Sequence, residues 1–192
     1  MLIALTGGPF AGKTTTIEAL AAAGHPIVPE AAWRKIDEWN QQMGVDGQMA
    51  WRREHPHEVQ LAINTLQAES EAAAVAAHPD SPYIFCDRGR PDGLAYLRVY
   101  DVEPRDELKR NAATQQYDAA FLLDRLPDLD LRHETGRMDE PELLDRLDDL
   151  FIAAYREHGA NPIRVPVMPV ADRVAFILSE LAELAGDPAP GQ

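Results

Sequence analysis

Eight consecutive residues carry the most specific chemistry in this chain. Gly7-Gly8-Pro9-Phe10-Ala11-Gly12-Lys13-Thr14 fits G-x-x-x-x-G-K-[ST] at every position, with the apolar run Leu2–Leu5 before it and a helical pattern after it. Each residue type has a task in holding phosphate. Glycines Gly7, Gly8 and Gly12, with the small Ala11, let the backbone come close and turn its N–H groups inward as an anion nest. The following helix aims its N-terminus at the same point. Lys13 reaches the β- and γ-phosphates, Thr14 offers a hydroxyl to Mg2+, and Thr15 belongs to the same turn. The expected ligand is ATP, or GTP, with magnesium. A guanine-specific N-K-x-D motif is absent, which counts against an ordinary GTPase.

A second acidic position follows in Tyr83-Ile84-Phe85-Cys86-Asp87, an apolar strand that ends on a carboxylate. In a sheet that also carries a phosphate loop, an aspartate there can hold magnesium beside Thr14, directly or through water. The next residues are Arg88-Gly89-Arg90-Pro91-Asp92. The planar fork of Arg88 suits a phosphate or a substrate oxygen. Gly89 would relax the strand exit. Asp92 falls in the first turn of a helix, where the preferred reading is a charge that complements the dipole.

Glu30 opens a third candidate group. If it starts a helix, Trp33 and Arg34 share its face at i+3 and i+4. That set would make an acceptor site, with Glu30 as general base, Trp33 stacked on a ring and Arg34 on a polar group. The equal alternative is that Glu30 complements a helix start and Trp33 is core. Three arginines, Arg125, Arg132 and Arg137, punctuate a polar stretch from Asp124 to Glu140, in the right order for a lid that brings positive charge to the phosphates. The alternative is a solvated loop with ion pairs to Asp124, Asp128 and Asp130. His55-Pro56-His57-Glu58 lacks metal-ligand spacing and reads as a helix start. Trp39 and Trp51 could line the acceptor pocket, but packing is the preferred reading.

These residues need an alternating scaffold, and the pattern supplies one. Strands are expected at Leu2–Leu5, Pro26–Val28, Tyr83–Cys86, Ala119–Leu123 and Ile163–Val167. Helices are expected at Lys13–Ala23, closed by Gly24, and from Glu30 to about Met43, stopped by Gly44. Val45–His55 reads as irregular. Further helices are expected at Pro56–Ala77, Pro91–Val99, Glu107–Gln116, Pro141–His158 and Val170–Leu184. Short apolar strands alternating with helices imply an α/β, three-layer P-loop NTPase fold: a mostly parallel five-stranded sheet, helices on both faces, kinase-like with a lid. The first strand should lie at a topological switch point. Residues 1–185 read as one domain and 186–192 as a flexible tail.

Composition narrows the partners. The chain has 192 residues, 45% of them apolar, and a formal net charge of −14. That acidity argues against long nucleic acid and against an anionic membrane. A nucleotide remains compatible, because one phosphate cluster needs only local positive charge. Cys86 is the lone cysteine and sits in an apolar run, so it reads as a buried hydrophobe. No leader pattern or 18-residue apolar stretch is present, and a cytoplasmic location is expected.

The combination of GGPFAGKTT, VPEAAW and DRGRPDGLAYL resembles the AAA-like P-loop ATPase family that includes the ribosylnicotinamide kinase domain of NadR-type proteins. FLLDRLPDLDLRHETGR, AYREHG and VPVMPVADRVAFIL extend the resemblance from Met1 to about Leu184. It implies a layout like small-molecule and nucleoside kinases, with ATP in the phosphate loop and an acid near Glu30 or Asp87 activating the acceptor hydroxyl. It also implies that the loop of Arg132 and Arg137 is the lid and that Val165–Pro169 sits by the nucleotide base. The family often has arginine directly after Glu-Ala-Ala, where this chain has Trp33 and then Arg34. The expected function is a small-molecule kinase acting on a nucleoside-like metabolite. The alternative is a nucleotide-dependent switch read by a partner protein, or an NTPase without an acceptor.

Overall fold

The computed structural model describes residues 1–127 and 141–186. Five strands, β1 (Leu2–Thr6), β2 (Ile27–Val28), β3 (Ile84–Asp87), β4 (Ala119–Leu123) and β5 (Ile163–Val165), form one sheet in the order β2-β3-β1-β4-β5. All four pairings are parallel. The helices are α1 (Lys13–Ala22), α2 (Ala31–Glu54), α3 (Pro56–Ala77), α4 (Asp92–Arg98), α5 (Asp106–Ala113), α6 (Pro141–Glu157) and α7 (Val170–Ala185).

Every residue of β1 is buried. Successive side chains of a strand point to opposite faces, so a strand covered on both sides reads as a continuous apolar run. Ile3 and Leu5 pack with Ile17 and Leu20 of α1 and Ile177 and Leu181 of α7. Leu2 and Ala4 face the other way, in a cluster with Tyr117 and Tyr155. Because β1 lies between β3 and β4, its carboxyl end opens at the switch point, with Leu5 in register with Asp87.

Most boundaries follow the local signals. Gly24 adopts φ 93° and its N–H bonds the Ala21 carbonyl, while that of His25 bonds Leu20, which closes α1 with a Schellman turn. Pro56 opens α3, where its missing N–H costs nothing. The third strand includes Asp87, α5 ends at Ala113 and β5 ends at Val165, each a shift of a few residues.

One expectation is corrected. Val45–His55 is not irregular: helix resumes after Gly44 and runs to Glu54. Gly44 alone is non-helical, at φ 74° and ψ 169°. A straight helix would separate Trp39 from Trp51 by about 18 Å. Their rings are 5.1 Å apart, so the chain folds back at Gly44 and the indoles join the two halves. Among the described residues, no helix is long and apolar enough to cross a membrane.

Candidate active site

The phosphate loop joins β1 to α1, and two of its glycines, Gly7 and Gly12, are required by contact as well as by conformation. Gly7 has φ 140°, and a Cβ there would lie 2.7 Å from the Leu123 carbonyl oxygen, a backbone atom of β4 that cannot yield. Gly12 has φ 74°. Phe10 is left-handed at φ 65° without being glycine, a strain of about 1–3 kcal/mol of the kind stored at functional sites. Lys13 folds back over the loop, and its ammonium donates to the carbonyls of Gly7 at 2.7 Å and Gly8 at 2.9 Å. Burial, helped by the nearby Arg88 charge, pulls Lys13 down to about 7, against the pull of Glu30, Asp87 and Asp92. A bound phosphate would restore the charged form, since opposite charge favours it. Thr14 is exposed at the start of α1, whereas Thr15 donates to the Gly12 carbonyl at 2.9 Å.

Asp87 is buried at the end of β3, and its Oδ1 has no hydrogen-bond partner among the described residues. A buried, orphaned carboxylate oxygen beside a phosphate loop is what a hard cation satisfies, so Asp87 and Thr14 fit magnesium. Burial, followed by the field of Glu30, pushes Asp87 up to about 6, with Lys13 and Arg88 opposing. The folded pKa therefore lies above that of an unfolded aspartate, about 3.9. The folded chain holds its proton more tightly, and this site loses stability as pH rises from about 4 to about 6. Asp87→Asn is expected to raise the Tm of nucleotide-free protein in chelator near neutral pH. The gain should be about 2–4 °C per kcal/mol relieved, shrinking as pH falls towards about 4. Calorimetric Tm values across that range check it.

Arg88 is the joint of the site. Its Nε donates to Glu30 Oε1 at 2.9 Å, and its Nη1 to Asp92 Oδ2 at 3.0 Å and to the Gly7 carbonyl at 3.3 Å. Its guanidinium carbon stands 5.2 Å from the centre of the Tyr96 ring. Its backbone is left-handed, φ 72°, a conformation that survives only where the surroundings over-determine it. Here Gln67 of α3 donates to the Arg88 carbonyl at 3.2 Å, and the Arg88 N–H donates to the Leu5 carbonyl at 2.9 Å.

Asp92 lies in the first turn of α4, as expected, but it does more than complement the helix dipole. It is buried and accepts from Thr6 Oγ1 at 2.9 Å, Tyr155 OH at 2.8 Å and Arg88. Its work is to hold Arg88.

A second buried shell fixes the same turn. Arg90 pairs with Glu71 at 2.8 Å and donates to Thr114 Oγ1 at 2.6 Å, while Tyr117 OH donates to Glu71 and accepts from the Arg90 N–H. Asn64 donates to the Arg90 carbonyl at 3.0 Å. Asn64, Gln67 and Glu71 were not expected from the sequence. Their 3- and 4-residue spacing along an alanine-rich helix puts them on one face, and a polar stripe of that kind is the signal that could have found them. Gly89 lies so close beneath this shell that a Cβ would come 2.5 Å from Tyr155 OH and 2.9 Å from Tyr117 Cζ. Gly89→Ala is expected to cost about 1–3 kcal/mol and to lower the Tm accordingly, measured by thermal unfolding.

The structure thus brings Lys13, Asp87, Glu30 and Arg88 together. Trp33 is 41% exposed at the start of α2, so it is not core. Arg34 reaches α3 instead, where its Nη1 donates to Ser70 Oγ at 3.3 Å. Arg125 turns to α6, bonding Asp145 with Asp148 3.8 Å away, while Asp124 pairs with Arg164 at 2.8 Å. Arg132 and Arg137 lie outside the described residues, as does the tail after Gly186. Cys86 is fully buried.

Comparison with known proteins agrees with this fold. The AAA domain model AAA_28 matches residues 2–173. No curated protein sequence matches the chain. Among solved structures, the chain is similar to thymidylate kinase from Candida albicans, at TM-score 0.59 and 15% identity over 96% of this chain and 92% of that one. It is similar to deoxyadenosine kinase from M. mycoides with bound dATP, at TM-score 0.57 and 16% identity over 94% and 99%. It is also similar to NadR protein in complex with NAD and AMP-PNP, at TM-score 0.67 and 16% identity. That match covers all of this chain and 51% of NadR, so the chain spans about half of that protein. These likenesses are likenesses of fold.

Proposed function

The chain belongs to the AAA domain family, whose model matches residues 2–173, and has the fold of P-loop kinases; from that premise we propose that it transfers the γ-phosphoryl group of Mg-ATP to a hydroxyl of a nucleoside-like small molecule. One observation carries the reading. A single guanidinium, Arg88, bonds a carbonyl of the phosphate loop and the Glu30 carboxylate at once, so the donor loop and a potential base share one rigid frame. Hydrolysis alone or nucleotide storage would not require that pair.

In this reading the loop N–H groups and Lys13 hold the β- and γ-phosphates, and Thr14 and Asp87 hold magnesium. The metal, when bound, neutralises phosphate charge. Glu30 accepts the proton of the acceptor hydroxyl as its oxygen bonds to phosphorus, and ADP leaves. Arg88 keeps Glu30 aimed, and Trp33, exposed at the start of α2, is assigned to the acceptor, whereas Arg34 is held by Ser70. Arg132 and Arg137 are assigned to charge neutralisation from the lid, as in related phosphoryl-transfer enzymes. The kinase neighbours act on or bind nucleosides and nucleotides by name, which favours a nucleoside-like acceptor. Catalysis would consist mostly of positioning and electrostatics.

The test is ADP release measured against a panel of nucleosides, nucleotides and pyridine ribosides with Mg-ATP and Mg-GTP. Acceptor-dependent release with a phosphorylated product supports the proposal. Turnover that is indifferent to every acceptor supports an NTPase or switch instead.

A further inference from the structure

One cation packed against the phosphate loop has no place in that scheme. Arg173 stands in the first turn of α7 and is 3% exposed. Its Nη1 donates to the Ala11 carbonyl at 3.0 Å and its Nε to the Met168 carbonyl at 3.0 Å. Among the described residues, no carboxylate pairs with it. A buried guanidinium costs several kcal/mol unless something offsets it. Carbonyls satisfy its donors without cancelling its charge, and burial alone pulls its pKa below the usual arginine range.

The bond to Ala11 has two geometric consequences. The Ala11–Gly12 peptide is trans, so its carbonyl and its N–H point in opposite directions. With the Ala11 carbonyl turned to Arg173, the Gly12 N–H points to the opposite side of that peptide, away from the guanidinium. Gly12 itself is left-handed, and a Cβ on it would run into the Arg173 guanidinium. The arginine therefore packs directly against the turn at Ala11–Gly12.

We propose that Arg173 is a positioning residue for the phosphate cradle: its fork sets the Ala11–Gly12 peptide so that the Gly12 N–H faces the phosphates, and its charge, which no carboxylate among the described residues pairs with, adds to the positive field behind the loop. A bound polyphosphate supplies the negative charge that offsets the buried cation. This role rests on the nucleotide-binding reading above.

The test is titration calorimetry of the wild type, Arg173→Met and Arg173→Lys with Mg-ATP and, separately, with inorganic tripolyphosphate, alongside the Tm of each protein. Arg173→Met is expected to lose affinity for both ligands equally, by about 10- to 100-fold, the scale of one charge-assisted hydrogen bond. Arg173→Lys keeps the charge but cannot bond both carbonyls with a planar fork, so its loss should be smaller. A purely structural role would lower the Tm and leave both affinities unchanged, which would overturn the proposal. So would a loss confined to ATP, because Arg173 would then read the nucleoside. If Arg173→Met does not fold, wild-type affinities for both ligands in Arg173→Lys overturn it. Failure of the wild type to bind either ligand would overturn the nucleotide reading itself.

Discussion

Lys13→Ala is expected to remove productive nucleotide binding and turnover while the fold stands. The ammonium is buried and donates to two loop carbonyls, at 2.7 and 2.9 Å, from the position where phosphate oxygens would compete for it. Losing one preorganised donor to developing negative charge costs about 10²–10³-fold in kcat. Affinity for Mg-ATP should fall with it, because Lys13 is the one side-chain cation of the loop itself. The stability effect has the opposite sign at low pH. Burial holds Lys13 at about 7, below its ordinary 10.5, so between those values the unfolded chain binds more protons and stability rises with pH. Below about 7 the folded protein carries the buried charge in full. The alanine variant escapes that penalty, although two loop carbonyls lose a donor. Its Tm relative to wild type should therefore be most favourable below about 7 and least so near 10.5. Calorimetry with a non-hydrolysable ATP analogue, together with thermal scans, checks both halves. Unchanged affinity and turnover would sink the loop assignment.

Glu30→Gln should separate the acceptor half from the donor half. Glutamine keeps the shape and can still accept from Arg88 Nε, but it cannot take a proton. Removing a general base lowers kcat by about 10²–10⁴-fold. Mg-ATP affinity should change far less than kcat, because Glu30 is linked to the loop by hydrogen bonds through Arg88 and by its field on Lys13, not by a bond to the phosphates. Single-turnover transfer to the acceptor found in the panel, with nucleotide Kd measured in parallel, gives the split. Full kcat in this variant would move the proton to Asp87, whose raised pKa would then reflect a base rather than a metal ligand.

The two variants probe features that differ in how far they could be read from the chain. The loop was legible because its constraints are local. Positive φ and an N-terminal helix dipole act within eight residues, so the residue types betray the geometry, although the contacts that crowd Gly7 and Gly12 come from Leu123 and Arg173. The strands were legible for a related reason, since a two-sided buried strand must be apolar throughout. Local signals failed where a distant contact decides. The glycine at 44 announces a break, but nothing local shows that Val45–Glu54 is a second helix folded back so that Trp51 meets Trp39. Asp92 reads as a dipole residue, yet Thr6 and Tyr155, 86 and 63 residues away, claim its oxygens.

The same division holds for the site. Sequence alone determined that a glycine loop, Gly7–Thr14, joins the first strand to a helix and that an acid ends β3, because short-range backbone geometry demands those residue types in that order. Tertiary structure decided which charges share the site. Arg88 meets Glu30 across 58 positions and Arg173 reaches Ala11 across 162. Arg34, adjacent to Trp33 in the chain, turns away to Ser70. Partner choice among buried charges depends on desolvation and on which strand ends lie side by side in the order β2-β3-β1-β4-β5, and no local pattern encodes that order.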